Sequence, residues 1–178
     1  MAMDVRNVTI KGLSPGLLMH RFPLEPVEAI EKRSAEEQAE HSAYRIPDTK
    51  ELCIPAICLQ RAFIAAATFS KGKGRASLQK VAAACLFVDP VWLGLGVFDY
   101  EISHIPVTIP ATRGRIIRHR PWLPEWQVAF NLTWDPDLLK ETQVRRIVDD
   151  GGNLVGVLDF RPGTKGPYGR FMVTSWSK

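Results

Sequence analysis

The sequence predicts an α+β fold whose main elements follow a βαββαβ order, and three observations carry that expectation. Residues 126–134 alternate strictly, Trp126, Val128, Phe130, Leu132 and Trp134 on one side and Gln127, Ala129, Asn131 and Thr133 on the other, as a half-buried strand must. Residues 56–69 and 136–150 carry apolar side chains at helical spacing. A strand pattern at 4–11 precedes these elements and extended runs at 155–160 and 170–176 follow them. At 178 residues the chain is long enough for one domain, 1–178, that buries roughly 70% of its unfolded surface.

The first strand, DVRNVTIK, ends in the turn-forming Gly12-Leu13-Ser14-Pro15-Gly16, before Leu17-Leu18-Met19 and His20-Arg21. Pro26 opens an acid-rich stretch, 27–41, expected as a surface helix, and 34–48 is polar enough to be mobile without a partner. We therefore read 25–51 as an acidic insertion. Leu52-Cys53-Ile54-Pro55 is extended, and its proline opens the buried helix at 56–69. A basic loop, 70–75, leads to a second apolar helix at 77–88, ended before Asp89-Pro90.

From 91 the period is two. Residues 115–120 alternate Arg115, Ile117 and His119 with Ile116, Arg118 and Arg120, turn at 121–124, and are expected to pair antiparallel with 126–134. Asp135-Pro136 starts the last helix, and Gly151-Gly152 reads as its stop. Without the insertions this is the order of a ferredoxin-like or RRM-like sandwich, with helices on one sheet face.

Charge is uneven along the chain. Residues 25–51 hold eight acids and four bases, a balance of −4, so the rest of a chain with net charge +4 carries +8. Two stretches have no acid: 52–88, with Arg61, Lys71, Lys73, Arg75 and Lys80, and 102–124, with Arg113, Arg115, Arg118 and Arg120. Positive charge without interleaved acid attracts a polyanion, which gains by releasing its counterions there.

Other chemistries find little support. Cys53, Cys58 and Cys85 form neither a disulfide framework nor a zinc pattern and read as small buried hydrophobes. Gly-x-Ser-x-Gly, phosphate-loop and dinucleotide-loop patterns are absent, and no cofactor is expected. No apolar run approaches the roughly 20 residues that span a bilayer. Residues 1–5 lack the features of a secretory signal, so the expected location is the cytoplasm.

Three segments together resemble the RAMP superfamily of CRISPR-associated RNA-binding proteins, whose backbone subunits use an elaborated RRM-like fold. Leu13-Ser14-Pro15 followed by Leu17-Leu18-Met19-His20 is similar to the family's strand, Ser-Pro, apolar opening. Residues 54–63, IPAICLQRAF, resemble its Ile-Pro-Gly-Ser-Ser-Leu-Lys-Gly-Ala-Leu-Arg segment, with Ala56-Ile57-Cys58 standing where the family has Gly-Ser-Ser. Residues 163–171, GTKGPYGRF, resemble its glycine-rich loop. The resemblance implies binding of RNA or another single strand, and repeated head-to-tail copies. A phage or mobile-element relative would carry the same expectation outside CRISPR-associated antiviral defence.

The expected function is therefore a non-catalytic subunit that binds single-stranded nucleic acid, RNA before DNA, within an oligomer or multi-subunit complex. The candidate contacts are His20, Arg61, Lys71, Lys73, Arg75, Arg113, Arg115, Arg118, His119, Arg120, Lys165, Tyr168 and Arg170. Arginines beside aromatic rings supply the charge and stacking that single strands use, and glycines let backbone N–H groups approach phosphate. Two alternatives stand beside it. One is an assembly subunit whose basic face meets an acidic protein. The other is a metal-independent ribonuclease using histidines, with His20 and His119 foremost among the four.

Overall fold

The computed structural model describes residues 2–22, 25–72, 74, 76–109 and 111–178. Its elements run β1 (Asp4–Gly12), β2 (Leu17–Leu18), α1 (Val27–Glu31), α2 (Ala35–Ser42), β3 (Cys53–Pro55), α3 (Ala56–Ala66), α4 (Gln79–Cys85) and β4 (Leu86–Asp89). They continue β5 (Trp92–Gly94), β6 (Glu101–Thr108), β7 (Arg115–Leu123), β8 (Gln127–Trp134), α5 (Glu141–Asp150) and β9 (Phe171–Ser177). The fold is α+β, with every strand pairing antiparallel. No helix among the described residues is long and apolar enough to cross a membrane.

A four-stranded sheet in the order β4-β8-β1-β9 forms the centre. Val128, Phe130, Leu132 and Trp134 of β8 are buried, and Val8 and Ile10 of β1 lie opposite Phe130 and Val128 on the same face. Against that face α3 sets Leu59 and Phe63, and α5 sets Val144, Ile147 and Val148, all fully buried. Phe63 meets Phe130 at 6.0 Å and Phe171 at 6.4 Å between ring centroids. Each such aromatic pair adds about 1 kcal/mol beyond the area it buries. The opposite face alternates polar: Asn7, Thr9 and Lys11 pair with Asn131, Ala129 and Gln127. A second sheet, β2-β7-β6, and the β3-β5 pair complete the fold.

Four expectations are corrected. Residues 115–120 do not pair with 126–134; β7 extends to Leu123 and joins β6 and β2 in a separate sheet. Its course past Pro121 is anchored by the Pro121 carbonyl, which accepts the Met19 N–H at 3.0 Å. The partner of β8 is instead β4, which the sequence disguised as the end of a helix. Leu86 and Val88 pair with Trp134 and Leu132, so burial on the sheet overrides the helical run before them.

Residues 155–160 are not a strand. The chain passes α5 into a π turn at Gly151–Val155 and then bends, with positive φ at Gly156, Leu158 and Phe160. α5 itself ends at Asp150 with Gly151 as its C-cap, as the glycines indicated, but it begins at Glu141 and not at Asp135-Pro136, where the Asp135 side chain accepts the Asp137 N–H in a turn. A Cβ on Gly152 would stand 2.2 Å from the Phe171 carbonyl, so glycine here permits close packing.

The acidic segment folds into two short helices. Ser34 caps α2 through the Glu37 N–H, Glu37 caps back on the Ser34 N–H, and Gln38 and Ala39 are buried. This helix packs on β7.

Candidate nucleic-acid interface

The first and third of the segments that carried the family resemblance meet, and the second shares a cleft with the end of the first. The Leu13 N–H donates to the Arg170 carbonyl at 2.9 Å, the Gly169 N–H to Gly16 at 2.8 Å, and the Asp159 N–H to Leu18 at 3.1 Å. Gly169, at φ +70°, allows this approach, since a Cβ there would lie 1.9 Å from the Val157 carbonyl. The glycine loop is thereby laid across the first turn.

His20, Arg61 and Arg161 line a cleft of about 190 Å³ with Tyr44, Cys58, Leu158 and Asp159. Neither Arg61 nor Arg161 forms an ion pair among the described residues. The single acid of the cleft, Asp159, is already held by the Arg120 guanidinium. The Tyr44 hydroxyl donates to the His20 carbonyl at 3.4 Å. Burial lowers the His20 pKa, with the Arg120 charge second, so the ring is neutral at pH 7. Burial raises the Cys58 thiol, against the opposing pull of Arg61 and Arg161.

Two depressions adjoin the cleft. One, of about 800 Å³, shares Tyr44 and Cys58 with it and runs past Arg21, Lys50, Ile57 and the partly exposed Trp92. The other, of about 170 Å³, shares His20 and is walled by Arg118, His119 and Arg120 beneath α1 and α2. Together they make a discontinuous furrow lined by cations, by Glu25 and Glu40, each paired with an arginine, and by the aromatic rings of Phe22, Tyr44 and Trp92.

The remaining candidates are dispersed. Arg118 lies 3.9 Å from Glu31 and is 16% exposed, and Arg120 is 12% exposed in its pair with Asp159. Both are thus screened by the protein's own carboxylates. His119 faces His104, and its lowered pKa comes first from burial and then from His104, not from the neighbouring arginines. Arg113 and Arg115 are exposed at the end of the β6–β7 hairpin, where Arg113 takes φ +56°. Lys71 stands apart, lining a separate depression with Arg146. Lys73 and Arg75 lie outside the described residues.

Lys165 is exposed at the loop apex, Arg170 is half-buried beside the first turn, and the Tyr168 ring sits 6.0 Å from Phe160. The tryptophans divide as well. Trp126 and Trp134 are core, Trp122 donates to the Pro15 carbonyl at 2.7 Å, and Trp176 donates to Glu141 at 2.8 Å. That leaves Trp92 as the tryptophan with an exposed face in a groove.

The sequence reasoning overlooked Arg21, Tyr44, Trp92, Asp159 and Arg161. Arg161 had a usable signal, its position beside the glycine loop. The others reach the furrow only through tertiary packing. Compared with protein-family models and with curated proteins, the chain finds no match.

Proposed function

We propose that this protein binds single-stranded nucleic acid, RNA in preference to DNA, along the furrow that runs from Trp92 past Tyr44 to His20, Arg61 and Arg161, and that it does so without cutting it. The observation that carries this reading is the cleft itself. Two arginines free of ion pairs among the described residues flank a backbone loop, and the one acid between them is already neutralised. Such a place is net positive and accepts phosphate without first breaking an internal pair. Tyr44 and Trp92 line one depression and offer π faces there, and stacking on such rings is worth about 1–3 kcal/mol per base.

A ferredoxin-like, RRM-like framework of the RAMP kind is part of the same proposal. It is supported by the sheet order β4-β8-β1-β9, with α3 between β1 and β4 and α5 between β8 and β9. The backbone bonds that join the first turn to the glycine loop, two of the resembling segments, also support it. The outer sheet face is not where we place the strand. Lys11 and Asp89 are the charges its β1, β4 and β8 positions present, with no arginine.

Titration of fluorescent single-stranded RNA and DNA by anisotropy tests the reading. Binding should weaken as salt rises, with a slope of about 0.7 per phosphate contacted. Absence of binding to either polymer at low salt would overturn it.

A second reading, association of repeated copies, is favoured by Val5, Phe87 and Met172, exposed on that outer face. Light scattering of nucleic-acid-free protein distinguishes a monomer from an assembly, and loss of assembly in Phe87→Glu would locate the contact.

A further inference from the structure

We propose that His104 and His119 form a binding site for a divalent transition metal of the Cu²⁺, Ni²⁺ or Zn²⁺ type, held between their two Nδ1 atoms on the β6–β7 hairpin. The residues lie directly opposite each other on paired antiparallel strands. Their rings cross at 78° with centroids 4.8 Å apart, and Nδ1 faces Nδ1 at 2.7 Å. One Nδ1–H donates to the other Nδ1 across that gap; with that proton moved to Nε2 of the same ring, both Nδ1 lone pairs are free for a metal ion.

The fit is close. At a metal–nitrogen distance of about 2.05 Å, two cis ligands at a right angle stand about 2.9 Å apart, and tetrahedral ones about 3.4 Å. The nitrogens therefore need to part by about 0.2 Å for right-angle ligation and about 0.7 Å for tetrahedral, with both rings turned so that their lone pairs meet at the ion, a side-chain rotation rather than a backbone change. His104 is exposed, so water completes the shell. No third His, Cys, Asp or Glu joins the pair in ligand geometry among the described residues, which makes the site open and exchangeable. Glu36 on the neighbouring α2 lies close to both rings and adds negative potential nearby. Paired imidazoles select copper, nickel and zinc over the oxygen-seeking magnesium and calcium.

Calorimetric titration with CuCl₂, NiCl₂, ZnCl₂ and MgCl₂ separately, in the absence of nucleic acid, tests this. One Cu²⁺ per chain should bind more tightly than Ni²⁺ or Zn²⁺, and Mg²⁺ not at all. His104→Gln and His119→Gln should each weaken binding by about tenfold or more, because losing a ligand costs at least as much as losing its outer-shell support. His41→Gln serves as a control and should leave it unchanged. In the wild type, imidazole NMR signals of both residues should shift on adding zinc. Copper affinity unchanged in the His104→Gln/His119→Gln double variant, or no shift at either ring, would overturn the proposal.

Discussion

Arg120 of β7 and Asp159, 39 residues further along the chain, are joined by an ion pair that stands where the two depressions sharing His20 meet. The pair ties the second sheet to the bent segment before the glycine loop, and it withdraws one cation from the furrow while neutralising the cleft's acid.

Breaking that pair should have opposite effects on stability and binding. Asp159→Asn leaves the Arg120 guanidinium, 12% exposed, without its carboxylate. The loss of a charged hydrogen bond at such a site should cost about 2 kcal/mol in urea denaturation. Removing the acid should meanwhile tighten oligonucleotide binding. An unchanged denaturation midpoint would show that the pair contributes nothing to folding.

Close packing at Gly152 yields a second expectation. Gly152→Ala forces a Cβ to within 2.2 Å of the Phe171 carbonyl, a backbone atom, and 2.8 Å of its buried ring. Overpacking of this kind should destabilise the domain by about 1–3 kcal/mol, read as a lowered thermal midpoint. Phe63→Ala, which empties a fully buried position touching Phe130 and Phe171, should cost about 3–5 kcal/mol. A midpoint unmoved by Gly152→Ala would mean that the π turn relaxes freely.

The pH dependence of stability follows from His20. Burial and the Arg120 charge lower its folded pKa below its unfolded value, so the unfolded chain takes up the proton first as pH falls. Stability from this residue is complete above the unfolded pKa of about 6.5 and declines below it, until the folded ring also protonates. His20→Gln should flatten that part of the profile. An equally steep fall in the variant would assign the effect to other groups.

Much of the framework was legible in the sequence because its elements are amphipathic over many residues. The alternation of β8 survives intact, since one face must be dry and the other wet, and Leu59 and Phe63 of α3 lie on the buried side as their spacing indicates. What escaped was set by distant partners. Four residues, Leu86–Asp89, following a helix without a breaker give too short a pattern to mark a strand. An alternating strand such as β7 does not say which sheet it joins. For the site, charge counting found Arg61 and the loop, yet it valued Arg118 and Arg120, whose carboxylate partners come from 31 and 159. Ion pairing across such separations is invisible until the chain folds.

Trp92 separates the groove from the sheet face as the path of the strand. Trp92→Ala should weaken single-strand binding by about 1–3 kcal/mol, the worth of one stacked base, while Lys11→Glu on the outer face should leave it unchanged. The reverse pattern would move the strand onto the sheet.

The most direct measurement compares two charge reversals in one anisotropy titration against single-stranded RNA. Arg61→Glu with Arg161→Glu alters the cleft, whereas Arg113→Glu with Arg115→Glu alters the hairpin end by the same charge. The expected result is near-complete loss of binding in the first pair, only a modest weakening in the second, and native circular dichroism in both. Full affinity in the Arg61/Arg161 variant, with loss confined to the hairpin variant, would contradict a cleft-centred site.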